Sequence, residues 1–227
     1  MALHIRREIE HLKKDILSVG TVVEESLFKA VKSLETRDAA LAREVIDSDE
    51  VIDHMEVELE EECLKALALH QPVAIDLRLI ITIMKINNDL ERVGDLSVNI
   101  AERALFLSQN GKAKDLLNFS QMAEKTRKML GKSLDALVNE NTALAYEVIQ
   151  ADSEVDRMNR EIFLQVHEMI KADPGNVESL IHLLSVSRHM ERVADHATNI
   201  AEDVIYMIEG EIVRHKAENF RSPDEQL

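Results

Sequence analysis

The sequence predicts an all-α protein: two homologous three-helix bundles, six long antiparallel helices from an internal repeat. Three observations carry this. Helix breakers are scarce, with six Gly and three Pro in 227 residues, while 45% of residues are apolar and only 3% aromatic. A core of Leu, Ile, Val, Met and Ala beside abundant Glu and Lys favours long helices. Apolar residues recur at alternating spacings of three and four, the stripe of an amphipathic helix. And the pattern runs twice: Glu91-Arg92-Val93-Gly94-Asp95 with Asn99-Ile100-Ala101-Glu102 returns as Glu191-Arg192-Val193-Ala194-Asp195 with Asn199-Ile200-Ala201-Glu202, 8 of 12 positions being identical.

The first helix spans about 3–35, on the stripe Ile5, Ile9, Leu12, Ile16, Val19, Val23, Leu27, Val31 and Leu34. Asp38 is placed to cap a second helix, about 39–70. Gln71-Pro72 ends it, because proline disfavours a helical residue before it. A third helix follows over about 73–108, and Asn110-Gly111 marks a turn. The pattern then restarts with helices over about 113–139, 142–172 and 176–216. Asn141 caps the middle one, and Asp173-Pro174-Gly175 separates the last two. The segment Asn219 to Leu227 is expected to fray. The domains are therefore 1–109 and 110–218, with a tail at 219–227.

The duplication extends beyond the opening motif. Leu41, Ala42, Glu44, Val45, Ile46, Asp49, Asp53 and Met55 return as Leu144, Ala145, Glu147, Val148, Ile149, Asp152, Asp156 and Met158. The offset is 103 here and 100 at the motif, so the length change falls in the turn within each hairpin, where it is tolerated.

Each repeat thus holds two acidic pairs: Asp49 and Asp53 with Glu91 and Asp95, then Asp152 and Asp156 with Glu191 and Asp195. A spacing of four puts both members on one helix face. Asp49 and Asp53 lie 22 and 18 residues before Gln71, and Glu91 and Asp95 lie 20 and 24 after it. At about 1.5 Å per residue, the pairs reach the same level on antiparallel neighbours. The second repeat gives 22 and 18 before Pro174, then 17 and 21 after it. Asp49 and Asp53 fall within the apolar stripe of Val45, Ile46, Ile52 and Cys63, and their counterparts within that of Val148, Ile149, Val155 and Val166. Glu91, Asp95, Asn99 and Glu102 flank the apolar face. Gly94, Ala101, Ala194 and Ala201 are small enough to let another helix come close.

Four carboxylates at one level repel unless a positive charge lies among them. The candidates are Arg92 and Arg192, or a metal. All-oxygen ligation suits hard cations, Mg, Mn, Ca or oxidised iron. Zinc remains an alternative, disfavoured by the absence of His from the repeated positions. Ion pairing and a conformational trigger stay open beside metal binding.

These residues resemble the PhoU family, regulatory accessory proteins of bacterial phosphate-specific transport. The resemblance rests on Gln71-Pro72, Ala74, Asp76-Leu77-Arg78, Lys85-Ile86, Asp89-Leu90-Glu91-Arg92, Gly94-Asp95 and Asn99-Ile100-Ala101, with the echo from Met190 to Ala201. It implies two three-helix bundles and a non-enzymatic role. It also implies restraint of phosphate-starvation genes and modulation of uptake, by coupling the ATPase subunit of a phosphate ABC transporter to a sensor histidine kinase. Multinuclear metal clusters, iron foremost with Mn, Mg or Zn as alternatives, carry over to the eight acidic positions. The second repeat departs at Ala194 and lacks the segment matching 71–78.

A formal charge of −16 argues against direct contact with nucleic acid or anionic membrane. The membrane is then reached only through partners. A single cysteine fits a reducing, cytoplasmic compartment. No signal-peptide pattern opens the chain, and no apolar run of about 18 residues occurs. Apolar faces left over after bundle closure allow a homodimer. A carboxylate-bridged oxidase or storage protein is the competing class; it needs Glu-x-x-His on two helices, and that pair is not present. A metal-free helical scaffold is the other alternative. His182, His189 and His196 form a stripe away from Glu191 and Asp195, expected as a half-exposed packing edge or a partner-facing strip rather than a site. Glu60-Glu61-Glu62 reads as a solvated face.

Overall fold

The computed structural model describes residues 2–109, 117 and 119–210. Helix α1 (Ala2–Thr36) buries the whole predicted stripe except Val31, which is half-buried while Ala30 takes the inner place. Arg37 turns the chain through a left-handed conformation (φ 57°). Asp38 then caps α2 (Ala39–Asp47), its Oδ1 accepting from the amides of Ala40 and Leu41 at 2.9 and 3.0 Å. The second repeat makes the same turn. Glu140 is left-handed (φ 47°), and Asn141 Oδ1 accepts from Ala143 and Leu144 at 3.0 and 3.3 Å to start α6 (Thr142–Ala172).

The expected single helix over 39–70 is broken. It stops at Ser48 and resumes as α3 (Asp49–His70). Ser48 Oγ donates to the Val45 carbonyl at 2.9 Å, a local bond that competes with the helical ladder. The repeat-equivalent residue, Ala151, has no hydroxyl, and α6 runs through unbroken.

Gln71, left-handed at φ 46°, ends α3, and α4 (Ala74–Gln109) returns beside it. The start predicted near 113 lies outside the described residues; α5 is described over Ser120–Val138. After α6, Asp173 caps a short 3-10 turn at Pro174–Asn176 that leads into α7 (Val177–Glu209). The sequence reading ran this last helix to 216. It ends instead at Glu209, because Gly210 (φ 71°) takes the left-handed position that closes helices. The tail at 219–227 lies outside the described residues.

Helices α1 to α4 make the first bundle and α5 to α7 the second. They lie side by side: α4 packs on α7, and α1 on α5. The helices α4 and α7 run antiparallel, since Lys85 meets Asp203, Asp89 meets His196 and Phe106 meets His182. One continuous apolar core joins both bundles. The histidine stripe is this seam. His182 stacks on Phe106 at 3.8 Å, and His196 Nδ1 lies 2.8 Å from Asp89 Oδ1. Burial and then the nearby Arg103 hold His182 and His189 below their usual range.

The two repeats solve one packing problem with a methyl moved between helices. A Cβ at Gly94 would meet Ile52 Cγ2 and Cδ1 at 3.2 Å. In the second repeat Gly94 becomes Ala194 and Ile52 becomes Val155. Exchanging both residues together should therefore cost less than the sum of the parts. Ile52→Val alone costs about 1 kcal/mol, and in a Gly94→Ala background the expected cost falls below half of that, read by urea unfolding. Additive single effects would refute the compensation.

Candidate functional site

The acidic pairs meet as the levels required. On the first bundle Asp49 faces Asp53 and Asp95, and Glu91 faces Asp95 and Asp53, closely enough for each to feel the other's charge. The carboxyls of Asp49 and Glu91 are raised from their ordinary range, by burial first and by these neighbours next. On the second bundle Asp152 faces Asp195, Asp156 and Glu191. Burial, then those three charges, push Asp152 up to about 7. Glu191 and Asp195 are raised by burial and by Asp156, with Asp195 also acting on Glu191.

The placement within the apolar stripe needs correcting. Of the four acids expected there, Asp49, Asp152 and Asp156 are half-buried and Asp53 is exposed; Asp195, on the flanking helix, is exposed as well. Both sites therefore open to solvent at the edge of the core.

The cations nearby are arginines. Arg92 Nη1 lies 3.2 Å from Asp95 Oδ2 and Arg92 Nε 3.3 Å from Glu91 Oε2. Arg92 thus serves its own helix, leaving Asp49 and Asp53 across the hairpin. Arg160 lies 3.7 Å from Asp156, and Arg188 and Arg192 lower Glu191 and Asp195 from a greater distance. Sequence reasoning missed three members. Glu56 joins the first cluster, coupled to Glu91 and Asp53; its one-turn spacing from Asp53 was the available signal. Thr198 stands beside Asp152 and opposes its upward shift, although its buried Oγ1 falls short of hydrogen-bond geometry. Arg188 is one turn before Arg192. The two sites are thus unequal: Glu56 and Val98 of the first stand where the second has Asn159 and Thr198.

Among the described residues no three His, Cys, Asp or Glu side chains close up tightly enough to clasp an ion. The donor set still fits a hard cation. It is all oxygen and mutually repelling, and Glu91 Oε2, buried and without a hydrogen bond, has only the Arg92 guanidinium at 3.3 Å beside it. Binding there would require the carboxylates to swing inward. A lone Glu-x-x-His, Glu8 to His11, lies on α1, where His11 Nδ1 holds Asp15 at 2.6 Å, away from both clusters. Cys63 is buried, and its thiol is pushed up to about 12, so it offers no nucleophile.

The family model for the PhoU domain matches the chain twice, over residues 16–104 and 119–204. The chain belongs to the PhoU family. Relatives named phosphate-specific transport system accessory protein PhoU homolog agree throughout. That of Aquifex aeolicus is 40% identical over 210 residues, 92% of this chain and 95% of its own. That of Pseudomonas aeruginosa is 36% identical over 209 residues, 92% of this chain and 86% of its own. The fold agrees as well. The crystal structure of PhoU from Pseudomonas aeruginosa aligns with a TM-score of 0.88 at 35% identity, over 91% of this chain and 99% of that one. The phosphate transport system regulatory protein PhoU from Streptococcus pneumoniae aligns at 0.82 and 30% identity, over 92% and 99%. The two PhoU-domain matches fall on the two bundles, and each carries one acidic cluster.

Proposed function

We propose that this chain is an accessory regulator of a phosphate-specific transport system. It works by binding rather than by catalysis. In this reading it sits in the cytoplasm as a homodimer. It couples the ATPase subunit of a phosphate ABC transporter to a sensor histidine kinase, and so restrains phosphate-starvation genes when phosphate is plentiful. The observation that carries the reading is agreement with relatives of that name along both repeats. No helix of the described residues is long and apolar enough to cross a membrane, so contact with it would pass through those partners.

The clusters around Asp152 and Glu91 are assigned to cations of the hard class, multinuclear iron foremost. A bound cation would supply positive charge where burial and repulsion now disfavour ionised carboxylates. Its loading or loss would change the charge of a helix surface and hence docking. A metal-free scaffold is the second reading, favoured by the open spacing of the carboxylates. The adaptor reading is tested by affinity capture of the full chain from its native cells. Enrichment of the transporter ATPase subunit or the kinase is the expected result. Recovery of neither would sink the reading.

A further inference from the structure

We propose that the groove between α6 and α7 docks an amphipathic helix of a partner protein, one whose apolar stripe is flanked by carboxylates. The groove measures about 490 Å³ and is lined by Asn159, Arg160, Phe163, Leu164, Leu184 and Arg188. Three features set it apart.

The first is exposure. Phe163 and Leu164 on α6 are 55% and 61% exposed, and Ile181 on α7 is 53% exposed. Ile181, Leu184 and Arg188 succeed one another at three and four residues along one face of α7. From Ile181 to Arg188 is about 10.5 Å, two turns of a guest helix. Phe163, Leu164 and Leu184 gather in the groove and Ile181 continues the same face of α7 one turn beyond it; apolar side chains grouped in this way, rather than scattered singly, mark an interaction surface.

The second is the comparison between repeats. The same places in the first bundle hold Glu56, Val57, Glu60, Glu61, Met84 and Asn88. The first bundle forms with carboxylates there, and its own groove is lined by Glu56 and Glu60. The fold therefore does not require Phe163, Leu164 or the two arginines.

The third is charge. In a chain of net −16, the groove carries Arg160 and Arg188 at its rim. Both are exposed. Among the described residues Arg188 makes no ion pair within 4 Å, and Arg160 holds Asp156 only at 3.7 Å. Guanidinium groups recognise carboxylates in pairs of parallel hydrogen bonds. Apolar anchors between two such groups fit a helix with Leu or Phe at every third or fourth residue and Glu or Asp alongside.

The inference rests on the adaptor reading only in needing a protein partner. The probe is a helical peptide of about four turns with that pattern, and its counterpart with each Glu replaced by Lys. Binding to the full chain is followed by backbone amide NMR shifts. The acidic peptide should move signals of residues 159–164 and 181–188. Phe163→Ser with Leu164→Ser should weaken it about tenfold, as should Arg188→Ala, and the Lys peptide should bind about tenfold more weakly than the acidic one. Phe163→Ser with Leu164→Ser, at exposed positions, leaves the melting temperature unchanged, and Arg188→Ala is read on binding alone. Equal binding to the variants, shifts elsewhere, or no binding would overturn the proposal. So would loss of dimer on Phe163→Ser with Leu164→Ser in sedimentation, which assigns the groove to a second copy. If the peptide binds as expected but neither the ATPase subunit nor the kinase is captured from cells, the adaptor reading fails and the groove stands.

Discussion

In the presence of a chelator, Asp152→Asn should melt above the wild-type protein at pH 8, and the two should converge near pH 4. Folding raises the Asp152 carboxyl from 3.8 to about 7. Between those values the folded state holds a proton that the unfolded chain has released. Stability contributed by this group therefore falls as pH climbs through the window, and the cost is complete above pH 7. Asn keeps the shape and removes the charge. A shift of three units corresponds to about 4 kcal/mol. Screening at a half-buried site opening to solvent reduces this to about 1–2 kcal/mol, or roughly 2–8 °C for a chain of this size. Metal should reverse the order. At a hundredfold excess of Mn²⁺ over its dissociation constant, the wild-type protein gains about 2.7 kcal/mol, and Asp152→Asn gains less. Differential scanning calorimetry at pH 4, 6 and 8, with chelator and with Mn²⁺, reads all of this. A wild-type protein that gains nothing from Mn²⁺, Mg²⁺ or ferric iron would establish the metal-free scaffold. A variant that melts below wild type in chelator at pH 8 would show that the charged Asp152 stabilises the fold.

The second large effect lies at the seam. Lys85→Met should destabilise the protein by about 2–4 kcal/mol in urea unfolding. Asp203 on α7 is 2% exposed, and Lys85 Nζ from α4 lies 3.1 Å from its Oδ1. Lys85 also lies over the Tyr206 ring at 5.4 Å. Asp203 keeps further interactions, so the carboxylate is not abandoned. Removing this cation still leaves a charge in a poorly solvated place. Met keeps most of the aliphatic stem, so the loss reports charge rather than packing. Adding Asp203→Asn should recover at least half of it. A cost below about 0.5 kcal/mol, the level of a surface pair, would show that the other interactions of Asp203 hold the carboxylate without Lys85. The pair joins one repeat to the other, so its loss should also speed hydrogen exchange along both α4 and α7.

Several features of the site were readable along the chain. The level of Asp49 and Asp53 against Glu91 and Asp95 follows from counting residues on either side of Gln71, because helical rise is constant. Other features were not. Ser48 looks like any polar helix residue until its hydroxyl is seen bonding back to Val45. Gly210 sits in a stretch whose apolar spacing continues, so its left-handed turn was overlooked. Glu56 stands outside the repeated acidic pairs, since the second repeat has Asn159 there, and only the packing of α3 on α4 brings it beside Glu91.

The long helices apart from the break at Ser48, the duplication, the caps at Asp38 and Asn141, and the pairing of acids within each hairpin follow from local rules. Propensity, periodicity and turn chemistry act over a few residues, and the chain displays them directly. The side-by-side docking of the bundles, the histidine stripe as their seam, the Lys85–Asp203 pair and the basic apolar groove on α6 and α7 do not. Each depends on which faces of distant helices meet. That is set by the fit of whole surfaces, summed over many weak contacts, which no short stretch of sequence records.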